Sequence, residues 1–173
     1  MTLAFNISAV QLRDPNLAKR IFSIVAETGF SLRRLELEIT ETGLADNMKA
    51  AQNTIKVLRQ AGGRIALDHF GSGDTTLSQL FSLQLDRIKI DRRFIDRLGK
   101  DAESETILRA ILALAKEFGL ATNAVGIENA DQLAALNANG CLEGQGYLFG
   151  KAVPAAEIMC QLQHLMPDIK AVA

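Results

Sequence analysis

The sequence has few aromatic residues and almost no net charge. It contains no Trp and one Tyr, and 19 Lys and Arg residues are balanced by 20 Asp and Glu residues, which gives a formal net charge of -1. Proteins that bind nucleic acid use a basic surface, often with aromatic side chains on which bases stack. The composition therefore predicts no nucleic-acid partner, and it offers no polybasic patch for an anionic membrane surface.

Cysteines and long hydrophobic runs are also scarce. The two cysteines, Cys141 and Cys160, lie far apart and form no C-x-x-C motif, which is typical of a reduced, cytoplasmic protein. No apolar run approaches the length of a membrane span, and the first residues have no signal-peptide pattern. We therefore predict a cytoplasmic location without membrane contact by this segment, although a longer parent protein could carry a membrane anchor.

What the sequence does contain is a regular alternation of strand-like and helix-like segments. Hydrophobic residues make up 48% of the chain, enough for a sizeable core in one domain. Long helices between strands favour a parallel sheet with right-handed crossovers. Period-two patterns predict six strands: two of them lie within 64–91, and the others are at 4–8, 35–40, 120–127 and 145–149. Helical periodicity predicts helices at 14–28, 44–60, 104–118, 131–139 and 154–165.

Two closures of such a sheet are possible, an open doubly wound sheet or a (β/α)8 TIM-type barrel. The strands carry polar or small residues on one face and Leu or Ile on the other, which favours the barrel, because an open sheet buried on both faces gives continuous apolar runs. A full barrel needs eight units and about 250 residues. We therefore predict an incomplete barrel of about six units with unpaired edges near Asn6 and Gln145, attached to further modules or covered in a homo-oligomer.

The stretch from Arg64 to Asp91 forms the centre of this pattern. It is interpreted as a strand, a glycine-rich loop, a short helix and a second strand, with Asp68 at the end of the first strand and Lys89 at the end of the second. In barrels and in open α/β sheets, ligands bind at these carboxyl ends. A solvated strand end with a surface ion pair is the alternative.

Polar residues follow the other predicted strands in the same way. A side-chain amide and two carboxylates are hard oxygen ligands, suited to Mg²⁺, Mn²⁺ or Ca²⁺, and a neighbouring lysine can neutralise phosphate or position a water molecule. Each acidic residue also has a plain interpretation as solvated surface. The set that would meet at the barrel mouth is Asn6, Glu38, Asp68, Lys89, Glu128 and Gln145.

Six motifs in order give the chain a resemblance to a known family. They are FNIS (5–8), ELEITET (36–42), ALDHFGSGDTTLSQL (66–80), DRIKIDRRFI (86–95), NAVGIEN (123–129) and GQGYLFGKAVP (144–154). The chain resembles the EAL domains, cyclic-di-GMP phosphodiesterases with a (β/α)8 barrel fold, over nearly all of residues 4–158. The resemblance implies a reaction that opens one phosphodiester of cyclic-di-GMP to give linear pGpG, with Mg²⁺ or Mn²⁺, often as two ions, activating water.

The resemblance also implies roles for individual residues. Metal ligands would be Asn6, Glu38 and Asp68. Lys89, held by Asp91, would contact the metal-bound water or the scissile phosphate. Glu128 and Gln145 would line the site, as catalytic and substrate-binding residues respectively. The supporting residues would be Glu41, which steadies the loop after Asp68, together with His69, Phe70 and Gly71 at the start of that loop.

Three departures from the family pattern bear on activity. The Glu-Ala-Leu motif that names the family lies upstream of the strand with Asn6, so residues 1–173 are expected to form an EAL-like domain lacking its N-terminal strands and that motif. The paired aspartates of the family are Asp68 and His69 here, and histidine suits Mg²⁺ poorly. The first glutamate of the family's A-E-G-V-E is Val125, whose side chain can neither bind metal nor act as a base.

We therefore expect a catalytically impaired domain of cyclic-di-GMP signalling, because the loss of catalytic or metal-binding carboxylates reduces rates by orders of magnitude. Its role would be regulatory or ligand-binding, with Mg²⁺ or Mn²⁺ bound weakly or not at all. Partners would be cyclic-di-GMP and sensory or GGDEF-type modules. One alternative is an active Mg²⁺- or Mn²⁺-dependent phosphodiesterase in the full-length protein. The other is a protein-interaction module that binds no nucleotide.

Overall fold

The structure is a computed structural model that describes residues 2–45, 48–71, 76, 80, 82–155, 157 and 158. Its six strands are β1 (Leu3–Ile7), β2 (Leu35–Thr40), β3 (Arg64–Phe70), β4 (Arg87–Ile90), β5 (Ala121–Val125) and β6 (Glu143–Gln145). The α-helices in the described ranges are α1 (Ala9–Leu12), α2 (Leu17–Thr28), α3 (Glu41–Ala45), α4 (Met48–Gln60), α5 (Arg92–Ile95), α6 (Ala102–Glu117) and α7 (Ala130–Ala138), and a 3-10 turn spans Leu32–Arg34. None of these helices is long and apolar enough to cross a membrane.

The six strands form one parallel sheet in the order β1-β2-β3-β4-β5-β6. A doubly wound sheet would reverse its strand order at a switch point, whereas here every neighbour in space is also the next strand in sequence. This sequential order is that of a barrel wall, and it confirms the predicted parallel sheet and its six strands.

The outer face of the sheet is apolar and carries the core. Strand side chains on this face have 0–3% of their surface exposed, and helices α4 and α6 cover them with buried residues of their own. Burial of such side chains is the main stabilising term in folding. The strand residues concerned are Ile7, Leu37, Ile39, Ile65, Leu67, Ile88 and Ile90.

Three short helices, α1, α3 and α5, follow directly after strand ends. Helices α1 and α5 were not predicted, and α3 overlaps the predicted helix at 44–60 only in its last two residues. Ser8 caps α1 through a capping box with Gln11, and the Asp91 carboxylate caps α5 by accepting a hydrogen bond from the Arg93 backbone N–H. Polar residues at strand ends therefore serve as helix caps in this fold, as well as candidates for a site.

The last predicted strand, at 145–149, differs from the structure, in which β6 covers Glu143–Gln145 and residues 147–149 form a turn. The reason lies at Gly146, where a Cβ atom would come within 2.1 Å of the Ile127 carbonyl oxygen. The chain passes against Ile127 and bends there, and the Leu148 backbone N–H donates to the Ile127 carbonyl. A glycine that permits close approach of two backbone segments ended the strand early.

Two helix predictions also need adjustment. Helix α2 begins at Leu17 rather than at Asp14, because Asp14 first closes a turn in which its carboxylate accepts from the Asn16 backbone N–H. The predicted helix at 44–60 is present as α3 and α4, with residues 46 and 47 outside the described ranges. Most of the predicted final helix at 154–165 also lies outside them.

We expect Ile88→Ala, at the centre of the sheet, to lower the free energy of unfolding by about 2–5 kcal/mol, since Ile88 has no exposed surface and its loss leaves a cavity. Urea denaturation followed by circular dichroism measures this change. Ile24→Ala on α2 is the matched control, because Ile24 is 59% exposed and the same truncation there should change stability little. Equal effects of the two substitutions would contradict the position assigned to the core.

Candidate functional site

The inner face of the sheet is polar because strand register brings alternate residues together. Asn6 is the register partner of Glu38, and Thr40 is the partner of Asp68. On the other side of the sheet centre, Lys89 is the partner of Asn123. The side chains opposite to the apolar face therefore converge on one surface, as predicted for the carboxyl ends of the strands.

Lys89 is the centre of this surface. Its Nζ donates to Glu38 Oε2 at 2.5 Å and lies 3.6 Å from Asp68 Oδ1. All three side chains are buried, with 3–7% of each residue exposed. The ammonium thus balances two carboxylates that would otherwise be buried without a counter-charge, which is strongly unfavourable.

An irregularity in the sheet sets the direction of Asp68. The register between β3 and β4 shifts between Leu67 and Phe70, and His69 has a φ of 57°. In this β-bulge the Asp68 carboxylate points towards Lys89, while the His69 side chain is 55% exposed and its Nδ1 lies 3.1 Å from Asp68 Oδ2. Histidine is one of the residues that tolerates this left-handed conformation.

The other residues of the predicted set lie on neighbouring elements and differ in their surroundings. Asn6 is exposed on β1, Glu41 is buried at the first residue of α3, and Phe70 is part of the core. Asp91 contacts Arg93, whose Nη2 also donates to the Gly71 carbonyl at 3.0 Å, and Lys89 is held by Glu38 and Asp68. Asp91 caps α5, and its role as the group that holds Lys89 stays a prediction.

Glu128 and Gln145 lie at a second point on the rim, in a cavity of about 280 Å³ that Val125 and Tyr147 also line. Glu128 Oε1 is 2.7 Å from Arg92 Nη2, and Arg92 also donates to Asp96. The hydrogen bond and charge of Asp96, followed by the charge of Glu128, raise the pKa of Arg92 above its ordinary value. Glu128 is thus already paired with a permanent cation.

A second ionic layer lies two residues below the first. Arg87 pairs with Glu36 at 3.1 Å and also binds Glu143, so β4 is linked to β2 and to the edge strand β6. Burial by itself would lower the pKa of Arg87, but the hydrogen bond to Glu143 and the charge of Glu36 outweigh burial and raise it. Sequence reasoning missed this layer, although alternation placed Glu36 on the same face as Glu38.

Asn123 is another inward-facing residue that sequence reasoning missed. Its Oδ1 is buried and accepts no hydrogen bond from the residues that the structure describes. It projects from β5 beside Lys89, its register partner. A polar residue in the middle of a weakly patterned strand, ATNAV, was the available signal.

The oxygen donors Asn6, Glu38 and Asp68 fit one hard cation only in part. Lys89 occupies both carboxylates, and within the described ranges no group of three His, Cys, Asp or Glu side chains is placed to hold a metal ion. A second cation would need further carboxylates at the rim, where this chain has His69 and Val125. The donor set of the described residues therefore does not fit a two-metal centre.

Comparison with known proteins places these features in context. A profile of the EAL domain family matches residues 1–152. Cyclic di-GMP phosphodiesterase PdeR of Escherichia coli is 37% identical over 155 residues, which is 90% of this chain and 23% of that protein. The chain spans 19–23% of the length of the first three curated relatives that it matches.

Solved structures agree in fold. The EAL domain of Mycobacterium smegmatis DcpA superposes with a TM-score of 0.89 at 34% identity, covering 95% of this chain and 74% of that chain. BlrP1 of Klebsiella pneumoniae, solved as a complex with manganese and cyclic-di-GMP, superposes with a TM-score of 0.81 at 25% identity, covering 87% and 38%. The six strands thus form a half-barrel, and related proteins bind a divalent metal ion together with the dinucleotide.

We expect Lys89→Met to lower the free energy of unfolding by about 3–5 kcal/mol, because Glu38 and Asp68 would be left buried without a cation. Adding Glu38→Gln to Lys89→Met should restore part of this loss, and a double-mutant cycle measures the coupling. The matched control is Arg92→Met, which removes a half-exposed cation between two carboxylates and should change stability little, because solvent screens exposed ion pairs. Additive effects of Lys89→Met and Glu38→Gln would contradict the pairing.

Proposed function

The chain belongs to the EAL domain family, and from that premise we propose that it is a regulatory, ligand-binding EAL domain of cyclic-di-GMP signalling with impaired hydrolysis. The observation that supports the proposal is the ion pairing of the acidic side chains at the carboxyl ends of the strands. Lys89 is ion-paired with both Glu38 and Asp68, and Arg92 is ion-paired with Glu128. No carboxylate of this set is left without a cation to act as a base.

His69 and Val125 support the same conclusion. An exposed imidazole beside Asp68 and an aliphatic side chain at the end of β5 stand where the family pattern has carboxylates. Neither supplies an anionic oxygen ligand for a second Mg²⁺ or Mn²⁺. Asn6, Glu38 and Asp68 would hold one such ion weakly, in competition with Lys89, and this ion would supply positive charge beside a bound phosphate.

The charge of the site bears on how the ligand would bind. Cyclic-di-GMP is a dianion, and the buried centre contains two carboxylates against one ammonium. A bound divalent cation would reverse this imbalance, so binding of the dinucleotide should depend on Mg²⁺ or Mn²⁺. Gln145 and Tyr147, which line the cavity at the rim, would contact the nucleotide.

The rest of the full-length protein enters the proposal as well. The chain spans about a fifth of its curated relatives, so we infer that it acts as one module of a cytoplasmic signalling protein that also contains sensory or GGDEF-type modules or self-associates. In the part of the chain that the structure describes, no further strand pairs with the outer edge of β1 or β6, and such edges are normally covered by further chain.

An active phosphodiesterase is the second candidate. The convergence of Asn6, Glu38, Asp68 and Lys89 on one face favours it, together with the likeness to PdeR. In this case the full-length protein would complete the metal centre. The two candidates differ in turnover, because only the second converts cyclic-di-GMP to pGpG at an appreciable rate.

We expect the double variant His69→Asp/Val125→Glu of the full-length protein to gain hydrolysis of cyclic-di-GMP, by about 100-fold or more over the unmodified protein with Mn²⁺, because it restores a metal-binding carboxylate and a candidate base. Chromatographic detection of pGpG measures the rate. Both positions face solvent at least in part, so the fold should tolerate the change.

Calorimetry completes the experiment. The unmodified protein should bind cyclic-di-GMP with Mg²⁺ and lose that binding in EDTA. In the turnover assay, adding Lys89→Ala to the double variant His69→Asp/Val125→Glu should abolish the gained hydrolysis. Rapid conversion by the unmodified protein, abolished by Lys89→Ala, would establish the active enzyme instead. Absence of binding even at high ligand concentration would exclude the receptor.

A further inference from the structure

A groove in the described part of the protein lies away from Lys89. It has a volume of about 700 Å³ and runs along α6, beside the first residues of β5 and the connection from α7 to β6. It is therefore at the amino-terminal ends of the strands, whereas Glu38, Asp68 and Lys89 face the carboxyl ends. An occupant of this groove would leave the candidate site accessible.

Two cations border the groove. Arg109 and Lys116 are seven residues apart on α6, which places them on one helix face about 10.5 Å apart along the axis. The contacts of the described residues give Arg109 one long hydrogen bond, to Thr106 Oγ1 at 3.4 Å, and give Lys116 no acidic partner. The acidic residue at the end of the groove, Glu143, is bound to Arg87. The border of the groove therefore has excess positive charge.

The floor between these cations is apolar. Leu142 is 83% exposed, the highest value among the large hydrophobic residues in the described part of the chain. Leu112 and Leu120 lie beside it, and the small side chains of Ala113 and Ala138 leave room for a partner to approach closely. Leu142 therefore continues an apolar strip with Leu112 and Leu120 between the two cations, and a contiguous apolar surface with a polar border is typical of a contact surface.

We propose that this groove binds an acidic amphipathic helix of a partner, one that presents carboxylates two turns apart to Arg109 and Lys116 and a leucine-type side chain to Leu142. The spacing of the two cations matches the i, i+7 spacing of a helix face, and helices that place an apolar stripe in a groove are a common mode of recognition. Charge complementarity selects an acidic helix over a basic one. A helix bound there would lie at the end of the strands opposite to Lys89, so it could act on the domain without blocking the candidate site.

The test uses a synthetic alanine-rich helical peptide of about 20 residues, with two glutamates seven residues apart and leucines on the same face. Fluorescence anisotropy of the labelled peptide should show saturable binding to the protein. Arg109→Glu/Lys116→Glu should weaken it by about tenfold or more, because two attractive pairs become repulsive. Leu142→Ser should weaken binding as well, and since Leu142 is exposed, this variant remains informative if the double charge reversal impairs folding.

The matched control is Lys49→Glu/Lys56→Glu. These two exposed lysines have the same spacing on α4, and neither lines the groove. This control should leave the affinity within about twofold. An equal loss in the control, or equal binding of a peptide with lysines in place of both glutamates, would reduce the effect to general charge and overturn the proposal.

Two further outcomes would also overturn it. One is the absence of saturable binding by the unmodified protein. The other is a dimer in sedimentation that Leu142→Ser dissociates without peptide, since a second copy would then be the occupant. Binding that survives in the control and is lost in both groove variants supports the acidic helix.

Discussion

The ion pairs of Lys89 are the interaction on which the inner face of this half-barrel depends. A buried carboxylate is stable only when hydrogen bonds or a counter-charge replace the water it has lost. Lys89 provides that charge for Glu38 on β2 and for Asp68 on β3. The same contact therefore links three strands and fixes the positions of the groups that face a ligand.

The arrangement of the sheet follows from the two faces of its strands. Apolar residues such as Leu37, Leu67 and Ile88 face the helices, so the polar residues between them must face the inside. Arg87, two residues before Lys89 on β4, likewise pairs with two carboxylates. One belongs to Glu36 on β2 and the other to Glu143 on the edge strand β6. In a barrel, residues from alternate strands form such layers, and Glu36, Arg87 and Glu143 come from β2, β4 and β6. The half-barrel thus has an inner face built from charge pairs rather than from packed apolar groups.

The sequence predicted this architecture well because period-two patterns are strong in β2, β3 and β4. It also placed Asn6, Glu38, Asp68 and Lys89 on one face, as the strand register does. Cys141 is a free, buried cysteine, and burial raises the pKa of its thiol. This agrees with the reduced state that the scarcity and spacing of the cysteines predict.

What the sequence could not give was the partner of each charge. Glu128 lies on a rim where Arg92, from another βα unit, reaches it, and this pairing depends on the turn at α5. The bulge at His69 shifts the register by a residue and decides which way Asp68 points. The end of β6 depends on contact between Gly146 and Ile127. Each is a tertiary contact between segments distant in sequence, for which no local pattern exists.

Burial explains why one part of the family pattern is present in this chain and another is not. Glu38, Asp68 and Lys89 are buried and coupled, so the loss of Lys89 leaves two buried carboxylates without a cation and destabilises the fold by several kcal/mol, about 3–5 for a pair of this kind. His69 is exposed and Val125 is half-buried at a strand end, so replacement of a carboxylate at these two positions disturbs little packing.

Selection for a stable fold would therefore maintain the first group even where hydrolysis no longer matters, and only selection for hydrolysis would maintain acidic residues at the other two positions. The presence of Lys89 and its partners is thus evidence for the fold. The residues at positions 69 and 125 are the better guide to catalysis, and the proposal of impaired hydrolysis rests on them.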